Sequence, residues 1–270
     1  MPIVEKFLSE SNNYSEKTKQ CFKDSLRLFF RFCPKNLEDI TKRDVKQWLI
    51  LLTQEGKAPS TVYSYLYSLK KFFGYCKEEN ILSVDPASGI KYPKLPKTLP
   101  CTFSQRELLE FFEASRSDTR DRAILEVLFT TGVRVSELIN IKIEDIVWET
   151  RQIWVREGKG NKERFVMFTA ECEERLKKYL ATRKHDSPYL FVSRLGKPFS
   201  RQSIYKIVKK YVQAKGSPHT FRHTFATYLA EKGAPQEVIA LLLGHKDYNS
   251  TSIYTNLTAK ARKRLYDNYI

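Results

Sequence analysis

The sequence predicts a mostly α-helical protein with one small β-sheet (α+β), divided into an N-terminal helical bundle and a larger mixed domain. Three observations carry this. Apolar residues recur at helical spacing through residues 1–90, without a strand signal. The stretch KYPKLPKTLP at 91–100 holds three prolines and three lysines, cannot sustain a helix and favours an extended, fairly stiff linker. Beyond it, three short β-rich segments interrupt a chain that otherwise reads as helices. The expected organisation is therefore a helical domain over 1–90, a linker over 91–100 and a second domain over 101–270.

The first bundle helix follows from SEKTKQCFKDSLRLFFRFC, where Phe22, Leu26, Phe29 and Cys33 recur at spacings of four, three and four. Val45, Trp48, Leu49 and Leu52 give the next, and Val62, Leu66, Leu69, Phe73 and Cys76 a third. The opposite face of that third helix carries Tyr63, Tyr67, Lys70 and Lys71 and is a candidate nucleic-acid surface, although exposed helix faces commonly have such a composition. After the linker, Ser104 and Glu107 have capping-box spacing and open a helix through SQRELLEFFEAS. A second helix, DRAILEVLFTTG, should end at Gly132. The segments DIVWE, QIWVRE and RFVMF read as strands, the last two joined by a tight turn at GKGNKE. Further helices run to the C-terminus, one of them capped by Ser200. There is no internal repeat and no low-complexity tract.

Composition narrows the function. Lysine and arginine number 47 against 31 aspartate and glutamate, a net charge of +16. The excess is spread over both halves: residues 1–95 carry 16 basic and 11 acidic side chains, the remainder 31 and 20. A charge of this size, not confined to a tail, points to a polyanionic partner. No apolar run approaches the ~20 residues of a membrane span, and the N-terminus lacks the layout of a signal peptide. Five cysteines lie far apart, without a CxxC pair, as expected of reduced, buried thiols in a cytoplasmic protein.

The most informative stretch is SPHTFRHTFATYLA at 217–230. Ser217 is a good N-cap and Pro218 a good first helical residue. His219 then falls in the first turn, where free N–H groups and the helix dipole favour an anion. His219, Arg222 and His223 stand at i, i+3 and i+4 and share a side of the helix, leaving Phe221, Phe225, Tyr228 and Leu229 to pack. Zinc is the competing reading of the two histidines, but there is no glutamate in the HExxH position, so no metal is expected. Downstream, LLLGHKDYNSTSIYTN places His245 after a helix-ending glycine and Tyr254 nine residues later. Upstream, TTGVRVSEL puts Arg134 after a glycine turn with Glu137 three residues on, and GKGNKER carries Lys159 at a hairpin tip.

Taken in order, Arg134, Lys159, His219, Arg222, His245 and Tyr254 resemble the catalytic set of the tyrosine recombinases, the lambda-integrase family. TGVRVSEL, GKGNKERFV, PHTFRHTFAT and LLGHKDYNSTSIYT look most like its Xer-type members. The resemblance spans essentially the whole chain. It implies a helical core-binding bundle and a catalytic domain that together form a C-shaped clamp on double-stranded DNA. It also implies strand cleavage by a tyrosine through a 3′-phosphotyrosyl link, then rejoining by a 5′-hydroxyl, with no metal, nucleotide or other cofactor.

The residue types suit that chemistry. Arginines bind two phosphate oxygens at once and keep their charge, so Arg134 and Arg222 are the expected phosphate clamps. Tyr254 is the expected nucleophile. Its phenol has an ordinary pKa near ~10 and needs a proton acceptor and a positive surrounding. His219 is the expected acid–base partner, His245 a hydrogen-bond donor to the phosphate, and Lys159 the acid for the leaving 5′-oxygen. Lys162 is the rival for that last role, and Arg156 and Arg164 flank the same hairpin. The resemblance places Glu137 as a buttress, with His223 beside the site. Tyr75 and Tyr189 are rival nucleophiles but lack an upstream Gly-His.

For DNA reading, Lys70 and Lys71 are candidates, as are Arg201 and Gln202, since arginine suits guanine and glutamine adenine in the major groove. The resemblance further implies a homotetramer on two DNA sites, with or without a second recombinase, in which the amphipathic tail NLTAKARKRLYDNYI docks on a neighbouring protomer. It implies a nucleoid-associated cytoplasmic location. Xer-type resolution of chromosome or plasmid multimers is the leading expectation. A phage or mobile-element integrase, a type IB topoisomerase and a catalytically dead DNA-binding protein are the alternatives.

Overall fold

A computed structural model describes residues 1–96, 101–156, 163–212, 216–244, 263 and 266–270. The chain divides into two compact units, Met1–Thr98 and Leu99–Ile270.

The first unit holds α1 (Pro2–Glu10), α2 (Glu16–Phe32), α3 (Lys42–Gln54) and α4 (Pro59–Glu78). The three helices expected from periodicity are α2, α3 and α4, and the residues that carried the pattern are buried except Leu49, which is half-buried. Helix α1 was not anticipated. Its signal is the short i, i+3, i+4 set Val4, Phe7 and Leu8, all buried. Nine residues give too few repeats to show a period. Ser15 caps α2 and a Thr41–Asp44 capping box opens α3.

The core of this unit is unusually aromatic. Phe29 meets Trp48 and Phe73 edge-on, with ring centroids 5.2 and 5.9 Å apart, and Phe7 meets Phe72 at 5.6 Å. Each such ring contributes roughly 1.5–3 kcal/mol by leaving water. The linker starts as part of this unit: Tyr92 stacks on Tyr63 of α4 at 4.4 Å, and the Lys70 ammonium lies 4.6 Å from the Tyr92 ring centre.

The second unit contains α5 (Gln105–Ala114), α6 (Thr119–Thr131), α7 (Val135–Leu138), β1 (Ile146–Val147), β2 (Gln152–Val155), β3 (Arg164–Met167), α8 (Ala170–Thr182), α9 (Arg201–Val212), α10 (Pro218–Glu231) and α11 (Gln236–Leu243). The three strands fall inside the expected segments and form an antiparallel sheet of order β1-β2-β3, with Ile153 opposite Val166. The Ser104–Glu107 capping box opens α5.

Helix α6 is the central post. Ten of its residues are buried, and it packs on both α8 and α10. It stops at Gly132, whose left-handed φ of 59° disfavours a side chain and whose Cβ would come within 2.7 Å of Phe225. That close packing sets α10 against the end of α6.

Cys33, Cys76 and Cys172 are buried as expected, but Cys21 and Cys101 are exposed, which corrects the expectation of uniformly buried thiols. None of the described helices is long and apolar enough to cross a membrane.

Candidate active site

The site forms where three chain segments meet: the turn from α6 into α7, the start of β3 and the first half of α10. Arg134 is the N-cap of α7, and a single carboxylate ties it down. Its backbone N–H donates to Glu137 Oε2 at 2.8 Å and its Nη1 to Oε1 at 2.7 Å. Glu137 is almost fully buried, and Arg164 at the start of β3 completes its shell. Arg164 Nη1 donates to Oε1 at 3.0 Å and Nη2 to Oε2 at 2.8 Å. Burial opposes ionisation of Glu137, but the bonds and charge of Arg164, followed by those of Arg134, outweigh it and hold the carboxyl below its ordinary value.

Arg222 is buried in α10, only 5% exposed. Its Nη1 donates to the Gly132 carbonyl and its Nη2 to the Leu243 carbonyl, each at 2.6 Å. Both acceptors lie at helix C-termini, those of α6 and α11, where the dipoles favour a cation. Even so, burial and then the neighbouring positive charges of Arg134 and Arg164 pull the guanidinium down to about 10, against the pull of Glu137. Three arginines thus share one carboxylate among the described residues. The surplus positive charge is built in, and it suits an anion with several oxygens.

Helix α10 begins as expected, with Ser217 at the cap position and Pro218 first in the helix. The expected trio on its side is graded in depth: His219 is exposed, His223 half-buried and Arg222 buried. The two imidazoles meet edge to face at 4.4 Å. Partial desolvation, then the charges of His223, Arg222 and Arg134, lowers the pKa of His219 below the ordinary 6.5. Its imidazole is therefore neutral and able to accept a proton at neutral pH. Phe221, Phe225 and Leu229 pack inward as expected.

The structure brings Arg134, Glu137, His219, Arg222 and His223 together. Lys159, the rival Lys162, His245 and Tyr254 lie outside the described residues. Arg164, a flanking residue on the sequence, is the member that the sequence reading missed. Its only local signal is its place at the start of a strand, and nothing there says that the hairpin brings it to Glu137. Arg156 is committed elsewhere: its Nε donates to Asp145 at 2.5 Å, its Nη2 to Glu144 at 3.1 Å, and it lies 4.6 Å from the Trp154 ring centre. It shares a cavity of about 350 Å³ with Glu137, Lys142 and Tyr189.

Tyr75 is unsuited to nucleophilic attack. Burial and the Glu10 carboxylate at 2.5 Å push its phenol up to about 12. Arg201 and Gln202 stand exposed at the start of α9, where the Ser200 hydroxyl accepts from the Ser203 N–H at 3.1 Å. Lys71 is exposed and Lys70 half-buried over Tyr92. The described end of the C-terminal tail packs on its own unit: Tyr266 is 1% exposed and donates to the Thr130 carbonyl at 2.9 Å.

Known proteins resemble this chain over most of its length. Residues 102–261 match the phage integrase family, and residues 4–81 match the phage integrase N-terminal SAM-like domain. The tyrosine recombinase XerA of Pyrococcus furiosus is 37% identical over 89% of this chain and 86% of its own length. The tyrosine recombinase XerC of Thermodesulfovibrio yellowstonii is 35% identical over 94% and 90%. A crystal structure of a lambda integrase tetramer bound to a Holliday junction superposes with a TM-score of 0.78 at 21% identity, covering 94% of this chain and 76% of that one. The chain belongs to the phage integrase family and is a tyrosine recombinase, an enzyme of site-specific DNA recombination.

Proposed function

We propose that the chain cleaves and rejoins double-stranded DNA at a specific site through a 3′-phosphotyrosyl link to Tyr254, and that it works in Xer-type resolution of chromosome or plasmid multimers. The supporting observation is the buried Arg222, held between two helix ends beside Arg134, in a group of three arginines whose charge the single carboxylate of Glu137 does not balance. A scissile phosphate would supply the missing negative charge. Arg134 and Arg222 would grip its non-bridging oxygens and stabilise the trigonal-bipyramidal state, usually the largest catalytic contribution. Glu137 orients Arg134. His219, neutral at neutral pH, takes the phenolic proton of Tyr254. His245 donates a hydrogen bond to the phosphate, and Lys159 protonates the departing 5′-oxygen. No step calls on a metal or a nucleotide.

The relatives at 35–37% identity carry Xer names, which favours resolution over integration by a mobile element. On this reading the helical unit grips the duplex with Lys70 and Lys71, and Arg201 and Gln202 contact bases. Four protomers act on two sites in the cytoplasm, at the nucleoid.

The test is a denaturing gel of protein mixed with nicked duplexes carrying candidate sites. A covalent protein–DNA adduct that disappears in Tyr254→Phe supports the proposal. An adduct that persists in that variant removes Tyr254 as the nucleophile.

A further inference from the structure

We propose that Arg164 is a positioning residue of this site, one that locks Glu137 and Arg134 to the point where the chain leaves α11 for His245 and Tyr254. The proposal rests on the reading of these residues as the active site. Arg164 supplies two of the four described hydrogen bonds to the Glu137 carboxylate, as a two-pronged fork on both oxygens. Its side chain is only 12% exposed, and its charge is spent on Glu137. It is therefore poorly placed to serve as a general DNA contact.

The second observation lies on its other side. Gly244 has a left-handed φ of 66°, and a Cβ there would fall 2.7 Å from both Cδ and Nε of Arg164 and 3.1 Å from Cζ. The Gly244 backbone thus lies directly against the arginine. The buried Nε beside it has no hydrogen-bond partner among the described residues. One residue back, the Leu243 carbonyl accepts from Arg222. A single turn of chain is gripped by Arg222 on its carbonyl and by Arg164 against its glycine, and His245 is the next residue. Arg164 therefore fixes one proposed phosphate clamp relative to the C-terminal end of α11, the last described point before His245. A buried ion pair is a poor source of net stability, so its value here is in fixing geometry.

Two measurements test this on the full chain. In the first, a pool of duplexes nicked within a randomised core is the probe, and Tyr254→Phe is the control. Arg164→Gln should slow adduct formation roughly 10- to 100-fold, as loss of supporting contacts around a site does, while native-gel retention of the same duplexes is unchanged. Arg164→Lys should recover part of the rate. Retention and rate falling in parallel, or an Arg164→Lys rate no higher than that of Arg164→Gln, would overturn the positioning role.

The second measurement needs no DNA. Gly244→Ala should lower the melting temperature less in an Arg164→Ala background than in the parent, by about 3 °C or more for residues in direct contact. Additive losses would overturn the link to Gly244. A parent chain that forms no Tyr254-dependent adduct would count against the proposed function, and the thermal cycle would still decide the contact.

Discussion

At the scale of single residues, Arg222 is held by two main-chain carbonyls before any ligand is bound. Arg222→Ala should therefore do two things. It leaves two buried acceptors without a partner, at roughly 1–3 kcal/mol each, partly offset by relief of repulsion from Arg134 and Arg164. A net loss of about 2 kcal/mol in urea denaturation is expected. Adduct formation should fall by about 10²- to 10³-fold, the usual cost of removing one donor to a developing charge.

His219 makes a pH prediction. Its pKa in the folded chain is lowered below 6.5, so the unfolded state binds more protons just below that pH. Stability should rise with pH through this window and level off above 6.5. Adduct formation should lose its His219-dependent acid limb only below 6.5. A His219-dependent limb centred above 6.5 would contradict the neutral imidazole.

At the scale of elements, caps and glycine stops carry most of the testable content. Asp44 closes the capping box of α3 and pairs with Lys35 at 2.8 Å. The Lys35 bond, then the Thr41 N–H and hydroxyl, lower its carboxyl from 3.8 to about 2. Its contribution is complete above 3.8 and lost as the pH falls through about 2. Asp44→Ala should cost about 1 kcal/mol near neutrality, and the gap from the parent should close towards the acid end of the window. Gly132→Ala should be harsher, because it adds left-handed strain to a 2.7 Å clash with Phe225 and shifts the carbonyl that receives Arg222. Circular dichroism melts and the adduct assay should both register it.

The capping box of α5, the three amphipathic helices α2, α3 and α4, and the hairpin strands were legible because their signals are local: a hydroxyl three residues from a carboxylate, or a period of 3.6 or 2. Helix α1 was not, because it spans too few turns to reveal a period.

At the scale of the whole molecule, net charge and the tail set the expectations. With a charge of +16 spread over both units, DNA binding should weaken steeply with salt. A loss of about 10³-fold or more between 50 and 200 mM is expected if six or more phosphates are neutralised. The resemblance places the C-terminal tail on a neighbouring protomer. The described end of the tail includes Tyr266, which packs with Met167, Phe225 and Leu229 in its own unit. Tyr266→Ala should therefore destabilise the isolated chain by roughly 3 kcal/mol or more, as other buried aromatic truncations do. An unchanged melt would show that the tail is not held there.

By itself the sequence determined the helical character, the position of the small sheet, the proline–lysine linker, the basic charge and the family. It also named Arg134, Glu137, His219 and Arg222, because their short motifs, taken in order, resemble those of the tyrosine recombinases. Only the tertiary structure decided that Arg164 belongs with them and that Arg156 does not. It also decided that Arg222 is buried against the ends of α6 and α11 while His219 on the same helix stays exposed, and that Tyr92 packs back on α4. The reason is common to all of these. Each depends on which distant segment a side chain meets, 27 residues apart for Arg164 and Glu137 and 90 for Arg222 and Gly132. Periodicity and caps report only on neighbours within a turn or two, whereas long-range pairing is settled by how α6, α10 and the hairpin pack around a shared core.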